Sequence, residues 1–261
     1  MCLLMFKPAA VTFTDAQLAD FYSRNKDGYG VLYAENNHLV QQKGIGTVDQ
    51  WIAFFRLHEK RECLIHLRMR THGEIDLTNT HPYNVYWPTK EGEAVPLPVA
   101  MMHNGVLKTG NDADRTKSDT WHYIRDFIIP LTKKDPDIIF TPEFSEIIGS
   151  HIGSGNKFAF MDAYGRVQII NKSAGVKWNG VWFSNTYAWS ARDDKLYPGI
   201  TKVTGSAWNN GYYGSAWGDD SRYDDYWFRK GHGATNKYDA ATTGGGKKKS
   251  GKGKGKGKGE T

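Results

Sequence analysis

The chain has 261 residues, 39% of them hydrophobic and 24% charged, the composition of a globular protein with ample length for a sizeable core. It holds no run approaching the ~18 apolar residues of a membrane span and no basic stretch ahead of a leader-like apolar segment, so neither a membrane nor a secretory signal is expected. Two cysteines, Cys2 and Cys63, are too few for a secreted disulfide framework, which makes the cytoplasm the expected compartment. The net charge of +6 is confined to one place: residues 247–261 hold seven lysines and one glutamate, leaving residues 1–246 neutral.

In chain order, the apolar run Cys2–Phe6 reads as an opening strand. Thr14 and Gln17 form a capping box for a helix expected to end near Arg24. Turn residues Asn25 to Gly28 lead to a strand from Tyr29 to Ala34, and a polar hairpin at Asn36-Asn37 returns through Leu39-Val40. A second capping box, Thr47 with Gln50, opens an amphipathic helix carrying Trp51, Ile52, Phe54, Phe55 and Leu57. A strand from Cys63 to Met69 follows, then a Pro-rich connection (Pro88, Pro96, Pro98) and an apolar strand beginning at Val99. Ser118 or Asp119 caps a helix expected to run through Trp121, Ile124, Phe127 and Ile129. Thr141-Pro142 starts another, to about Ile148. Strands at Lys157–Met161, Val167–Asn171 and Val181–Asn185 complete the regular part.

Two features carry chemistry. Cys2 follows the initiator methionine, and removal of Met1 would leave one residue with both a thiol and an α-amine. A model α-amine titrates near pH ~7.7–8 and a thiol near ~8.5, so the amine can take the thiol proton. The plainer reading of Cys2 is a small buried apolar residue. The second feature is the density of cationic and hydrogen-bonding side chains in His66-Leu67-Arg68-Met69-Arg70-Thr71-His72-Gly73 and Asn79-Thr80-His81-Pro82. Strand alternation would put His66, Arg68 and Arg70 on one face. His103-Asn104-Gly105 at a strand end reads first as hairpin chemistry.

The order of these motifs resembles the class II glutamine amidotransferase domain of the N-terminal nucleophile hydrolase family. Cys2 stands where that family has its nucleophile, followed by Asp27-Gly28-Tyr29-Gly30, His66–Gly73, Asn79–Pro82, His103–Gly105 and Ser118–Thr120. The resemblance covers roughly residues 2–200 and is strongest over 2–120. It implies an α+β fold, a four-layer α/β/β/α sandwich of two antiparallel sheets. It implies that Cys2 attacks the side-chain amide of glutamine, with Asn104 and the Gly105 N–H receiving the oxyanion. It implies further that Arg68 holds the substrate α-carboxylate, Asp119 its α-ammonium, and Thr71 and His72 the rest of the pocket, which His81 supports. No cofactor or metal is expected, and the ammonia released would pass to a separate enzyme. Met69, Arg70 and Thr109 depart from common family residues and leave the subfamily open.

The expected organisation is a domain over 2–204, a Gly- and aromatic-rich extension over 205–246, and a Lys/Gly tail over 247–261 without apolar residues to order it. The tail can attract nucleic-acid phosphates weakly but has no aromatic residue with which to read bases. Two other readings stay open on the sequence. One is an N-terminal nucleophile hydrolase for another amide. The other is a non-enzymatic binding protein or a metal site drawn from Cys2, His66, His72, His81 and His103, residues without compact ligand spacing.

Overall fold

Five residues in a row, Leu3 to Lys7, are buried on both faces, and around this strand the computed structural model assembles. The structure describes residues 2–86, 98–108, 114–187, 193 and 195–198. The connection at Pro88 and Pro96, Thr109, the 205–246 extension and the 247–261 tail lie outside the described residues.

The fold is α+β with two antiparallel sheets. The first contains β1 (Leu3–Lys7), β2 (Tyr29–Glu35), β3 (His38–Gly44), β4 (Cys63–Leu67), β9 (Val176–Trp178) and β10 (Val181–Phe183), in the order β3-β2-β4-β1-β10-β9. The second contains β5 (Tyr83–Tyr86), β6 (Val99–Asn104), β7 (Lys157–Asp162) and β8 (Val167–Ile170), in that order. A central strand buried on both sides needs apolar residues at both parities, which is why β1 is apolar up to Lys7 and β4 apolar but for His66. Leu3, Met5, Ile65 and Leu67 pack with Phe21, Trp51 and Phe55 from helices α1 (Asp15–Ser23) and α2 (Val48–His58). On the second sheet, Val99, Met101, Phe158 and Phe160 pack with Ile124, Phe144 and Ile148. Residues of the opposite parity, Leu4, Phe6 and Leu64 on one sheet and Ala100, Met102 and Met161 on the other, are buried as well.

Both capping boxes form: Thr14 Oγ1 accepts from Gln17 N, and Thr47 Oγ1 from Gln50 N, each glutamine reaching back to its cap. The hairpin at Asn36-Asn37 has both residues at positive φ, 51° and 60°, as a two-residue turn between twisted strands requires. Lys7, the polar end of β1, is buried with its ammonium on the carbonyls of Pro8, Val11 and Glu59.

Three expectations need correction. The strand expected over Cys63–Met69 ends at Leu67, so Arg68 and Arg70 lie in the loop beyond it and share no strand face with His66. The helix after Ser118 is broken into α3 (Asp119–Tyr123), a π-helical turn over Ile124–Ile128 and α4 (Ile129–Thr132). Pro130 lacks an N–H and its ring crowds the carbonyl four residues back, so the preceding turn widens until Ile129 N donates to Ile124 O. The helix α5 (Pro142–Ile152), capped by Thr141, runs one turn past the expected end.

Candidate active site

Antiparallel pairing of β1 with β4 sets Leu3 opposite Leu67, and so brings the residue before one next to the residue after the other. Cys2 Sγ accordingly sits at the start of the 68–74 loop, 3.4 Å from Met69 N and 3.5 Å from Met69 O. The strand β2 joins from the other side. Tyr29 pairs with Leu67, Arg68 N donates to Gly28 O at 2.7 Å, and Asp27 Oδ2 accepts from Arg70 N at 2.8 Å. The Asp27–Gly30 turn thus holds the loop by its backbone. Gly30 has no alternative, because a Cβ there would fall 2.0 Å from the His81 carbonyl oxygen.

Arg68 is buried, and its guanidinium donates to the carbonyls of Glu74 (2.7 Å) and His72 (3.0 Å). Two bonds to the loop fix a group that has five N–H donors, which leaves the fork capacity for an acidic ligand. His72 therefore enters the site by its carbonyl. Its ring and Thr71 are exposed, and the two side chains touch each other at 3.4 Å.

Asn104 ends β6, fully buried, with its Nδ2 donating to the Cys2 carbonyl. Gly105 follows at φ 142°, and a Cβ there would lie 2.0 Å from Asn156 Oδ1. Asn156 Nδ2 donates to Ile152 O, which can only accept, so its Oδ1 must face His103 Nε2 at 3.0 Å. His103 is therefore the Nε2–H tautomer, with Nδ1 accepting from the Thr120 hydroxyl at 2.7 Å. Asp119 lies just inside the helix that Ser118 caps, and its carboxylate accepts from Leu107 N at 2.7 Å and Thr120 N at 2.8 Å.

These groups act on one another electrostatically. Burial pushes the Cys2 thiol above its ordinary value. The Met69 backbone contact and the Arg68 charge pull against that rise, while the Asp119 charge adds to it. A cation and an anion on one thiol with opposite sign is an arrangement suited to a zwitterionic ligand. Cys63 differs: fully buried, its thiol is pushed up to about 12, chiefly by desolvation.

His81 belongs to a cluster of buried histidines beside these groups, on which the Arg68 charge also acts. Its ring packs 4.1 Å from that of His66 and 6.4 Å from that of His103. Burial lowers the basicity of all three, His66 to about 3. Among the described residues no group of three His, Cys, Asp or Glu side chains is arranged to hold a metal ion, and no helix is long and apolar enough to cross a membrane.

Sequence reading missed two asparagines. Asn156 buttresses the His103–Gly105 segment, and Asn185, just after β10, donates to the Cys2 carbonyl at 2.9 Å and to Asn104 Oδ1 at 3.1 Å. The expected strand Val181–Asn185 takes Asn185 as its last residue, whereas the strand stops at Phe183, and nothing local marks the asparagine as part of a site.

No family model matches the chain, and no curated protein matches it. Among solved structures, a glutamine phosphoribosylpyrophosphate amidotransferase from B. subtilis, complexed with ADP and GMP, is similar at a TM-score of 0.40 and 15% identity. The match covers 70% of this chain and 40% of that one, so the chain spans less than half the length of that protein.

Proposed function

We propose that this chain is a glutamine-hydrolysing amidotransferase domain of class II, with the four-layer N-terminal nucleophile hydrolase fold and Cys2 as nucleophile. The observation that supports it most is the convergence on Cys2. Asn104 is bonded to its carbonyl, and a buried arginine and a buried aspartate act on its thiol with opposite sign.

In this reading Met1 is removed and the Cys2 α-amine accepts the thiol proton. Sγ attacks the side-chain amide carbon of glutamine, and the oxyanion receives Asn104 Nδ2–H and Gly105 N–H, each such donor contributing ~10²–10³ in rate. The amine returns the proton to the departing nitrogen as the C–N bond breaks, leaving ammonia and a thioester. Water then gives its proton to the amine, attacks the thioester, and glutamate leaves as the thiol is restored. Arg68 takes the α-carboxylate and Asp119 the α-ammonium, with Thr71 and His72 beside them. His81 supports the pocket through its ring contacts with His66 and His103. The ammonia passes to a separate acceptor enzyme. The Lys/Gly tail contributes only a weak, salt-dependent attraction to polyanions, so removing residues 247–261 leaves turnover unchanged.

The test is release of glutamate and ammonia from glutamine by purified protein, set against N-acyl amides. Activity abolished by Cys2→Ala, with Met1 absent by intact mass, supports the reading. Full activity in protein that retains Met1, or preference for N-acyl amides, overturns it.

A further inference from the structure

The amide of Asn104 is useful at an oxyanion only with one end forward, its –NH2 toward the nucleophile; the Cys2 carbonyl, which can only accept, draws that end, and the oxygen end then needs a donor of its own. Asn185 supplies one. Its Oδ1 accepts from Tyr187 N at 3.1 Å, and a backbone N–H can only donate. Its Nδ2 faces the Cys2 carbonyl at 2.9 Å, and a carbonyl can only accept. Both ends of the Asn185 amide are thus fixed by partners with no choice of role. The same Nδ2 lies 3.1 Å from Asn104 Oδ1 and 3.3 Å from Ser184 Oγ. A donor at that position holds the Asn104 oxygen toward β10 and turns its –NH2 to the Cys2 carbonyl, where the second N–H remains for a ligand.

We propose that Asn185 is a positioning residue that orients the Asn104 amide, so that its donor end is held at the nucleophile. The proposal rests on the reading of Asn104 as an oxyanion donor. Backbone contacts prepare Asn185 for this role: Ser184 exchanges bonds with Leu4, its N donating to Leu4 O at 2.8 Å and its Oγ accepting from Leu4 N at 3.0 Å. The end of β10 is thereby locked to β1 beside Cys2.

The experiment compares Asn185→Leu, Asn104→Ala and the double variant on glutamine. Asn185→Leu is expected to lower kcat by ~10–10² with KM changed less than about twofold, since the loss falls on the transition state. The double variant should be no slower than Asn104→Ala alone, because an amide that is absent cannot be misdirected. An unchanged kcat in Asn185→Leu, or two losses that multiply, overturns the positioning role. Full kcat in Asn104→Ala alone overturns the oxyanion reading beneath it. Asn185→Asp gives a second route that does not depend on the leucine variant folding. The introduced carboxylate presents only acceptors to two acceptors, whereas its protonated form regains a donor. Its kcat relative to the unmutated protein should therefore rise as pH falls toward ~5. A deficit that is flat with pH contradicts the proposal.

Discussion

The carboxylate of Asp119 accepts the backbone N–H of Leu107 at 2.7 Å, tying the helix start at Ser118–Thr120 to the chain just past Asn104-Gly105. Ser118 is the cap of that helix, its side chain accepting from Trp121 N, so Asp119 is not needed for capping. Its charge is available for a ligand while its oxygens hold the Gly105 segment. Asp119→Asn is expected to weaken glutamine and to lower stability by about 1–2 kcal/mol, as a charge-assisted bond becomes a neutral one. Thermal melts check the second effect. Steady-state kinetics on glutamine and on its analogue lacking the α-ammonium check the first, since the analogue should lose far less. Equal losses would limit Asp119 to its structural contact.

The two thiols should differ sharply in reactivity. Burial pushes both thiols up, Cys63 to about 12, but Cys2 keeps part of its surface exposed, and the Met69 backbone contact and the Arg68 charge act against the rise. A diazo-ketone analogue of glutamine is expected to add once, to Cys2. Peptide mapping that finds the label on Cys63 would show the nucleophile to be misassigned.

Much of this architecture is written locally. The strand β1 is a contiguous apolar run, and each capping box lies within four residues, so both were legible without the fold. The motif residues that meet at Cys2 were legible for the same reason, as short words with their own chemistry. Strands β5 and β9 were not seen. One is four residues directly after Pro82, the other three residues, and each is recognisable only by its partner. The placement of Arg68 depends on where β4 stops, which the pairing with β1 and β2 decides rather than the alternation of its side chains. Asn185 reaches Cys2 across 183 residues of chain, a contact that no local pattern announces.

Arg68 tests whether the fork or the charge matters. Lysine keeps the charge but cannot donate to both the Glu74 and His72 carbonyls at 2.7 and 3.0 Å while gripping a carboxylate. Arg68→Lys is expected to reduce glutamine binding by about 2–3 kcal/mol and to leave the Cys2 alkylation profile near its original pH. Arg68→Gln removes one of the influences that hold the thiol down, so that profile should move to higher pH. Iodoacetamide rates as a function of pH measure both. Identical profiles for the two variants would mean that the arginine charge does not reach the thiol.

The last prediction concerns acid stability and the histidine cluster. Neither ring nitrogen of His81 has a hydrogen-bond partner among the described residues, and the polar contact of the His66 ring is with the His103 backbone. Burial is the first cause of their low basicity, with the neighbouring histidines and Arg68 adding to it, and His66 is lowered to about 3. The folded value thus lies below the unfolded value of ~6.5, so the unfolded chain binds the proton first. Stability from His66 is complete above ~6.5 and is lost as pH falls from there toward about 3, at ~1.4 kcal/mol per pH unit for each such histidine. His66→Gln removes one titrating site. Its stability at neutral pH should be lower, through imperfect packing against the His81 ring at 4.1 Å, but its fall between pH ~6 and ~4.5 should be shallower by one proton. Urea unfolding at a series of pH values reads that slope directly. A slope equal to that of the unmutated protein would mean that His66 takes up its proton while the protein is still folded.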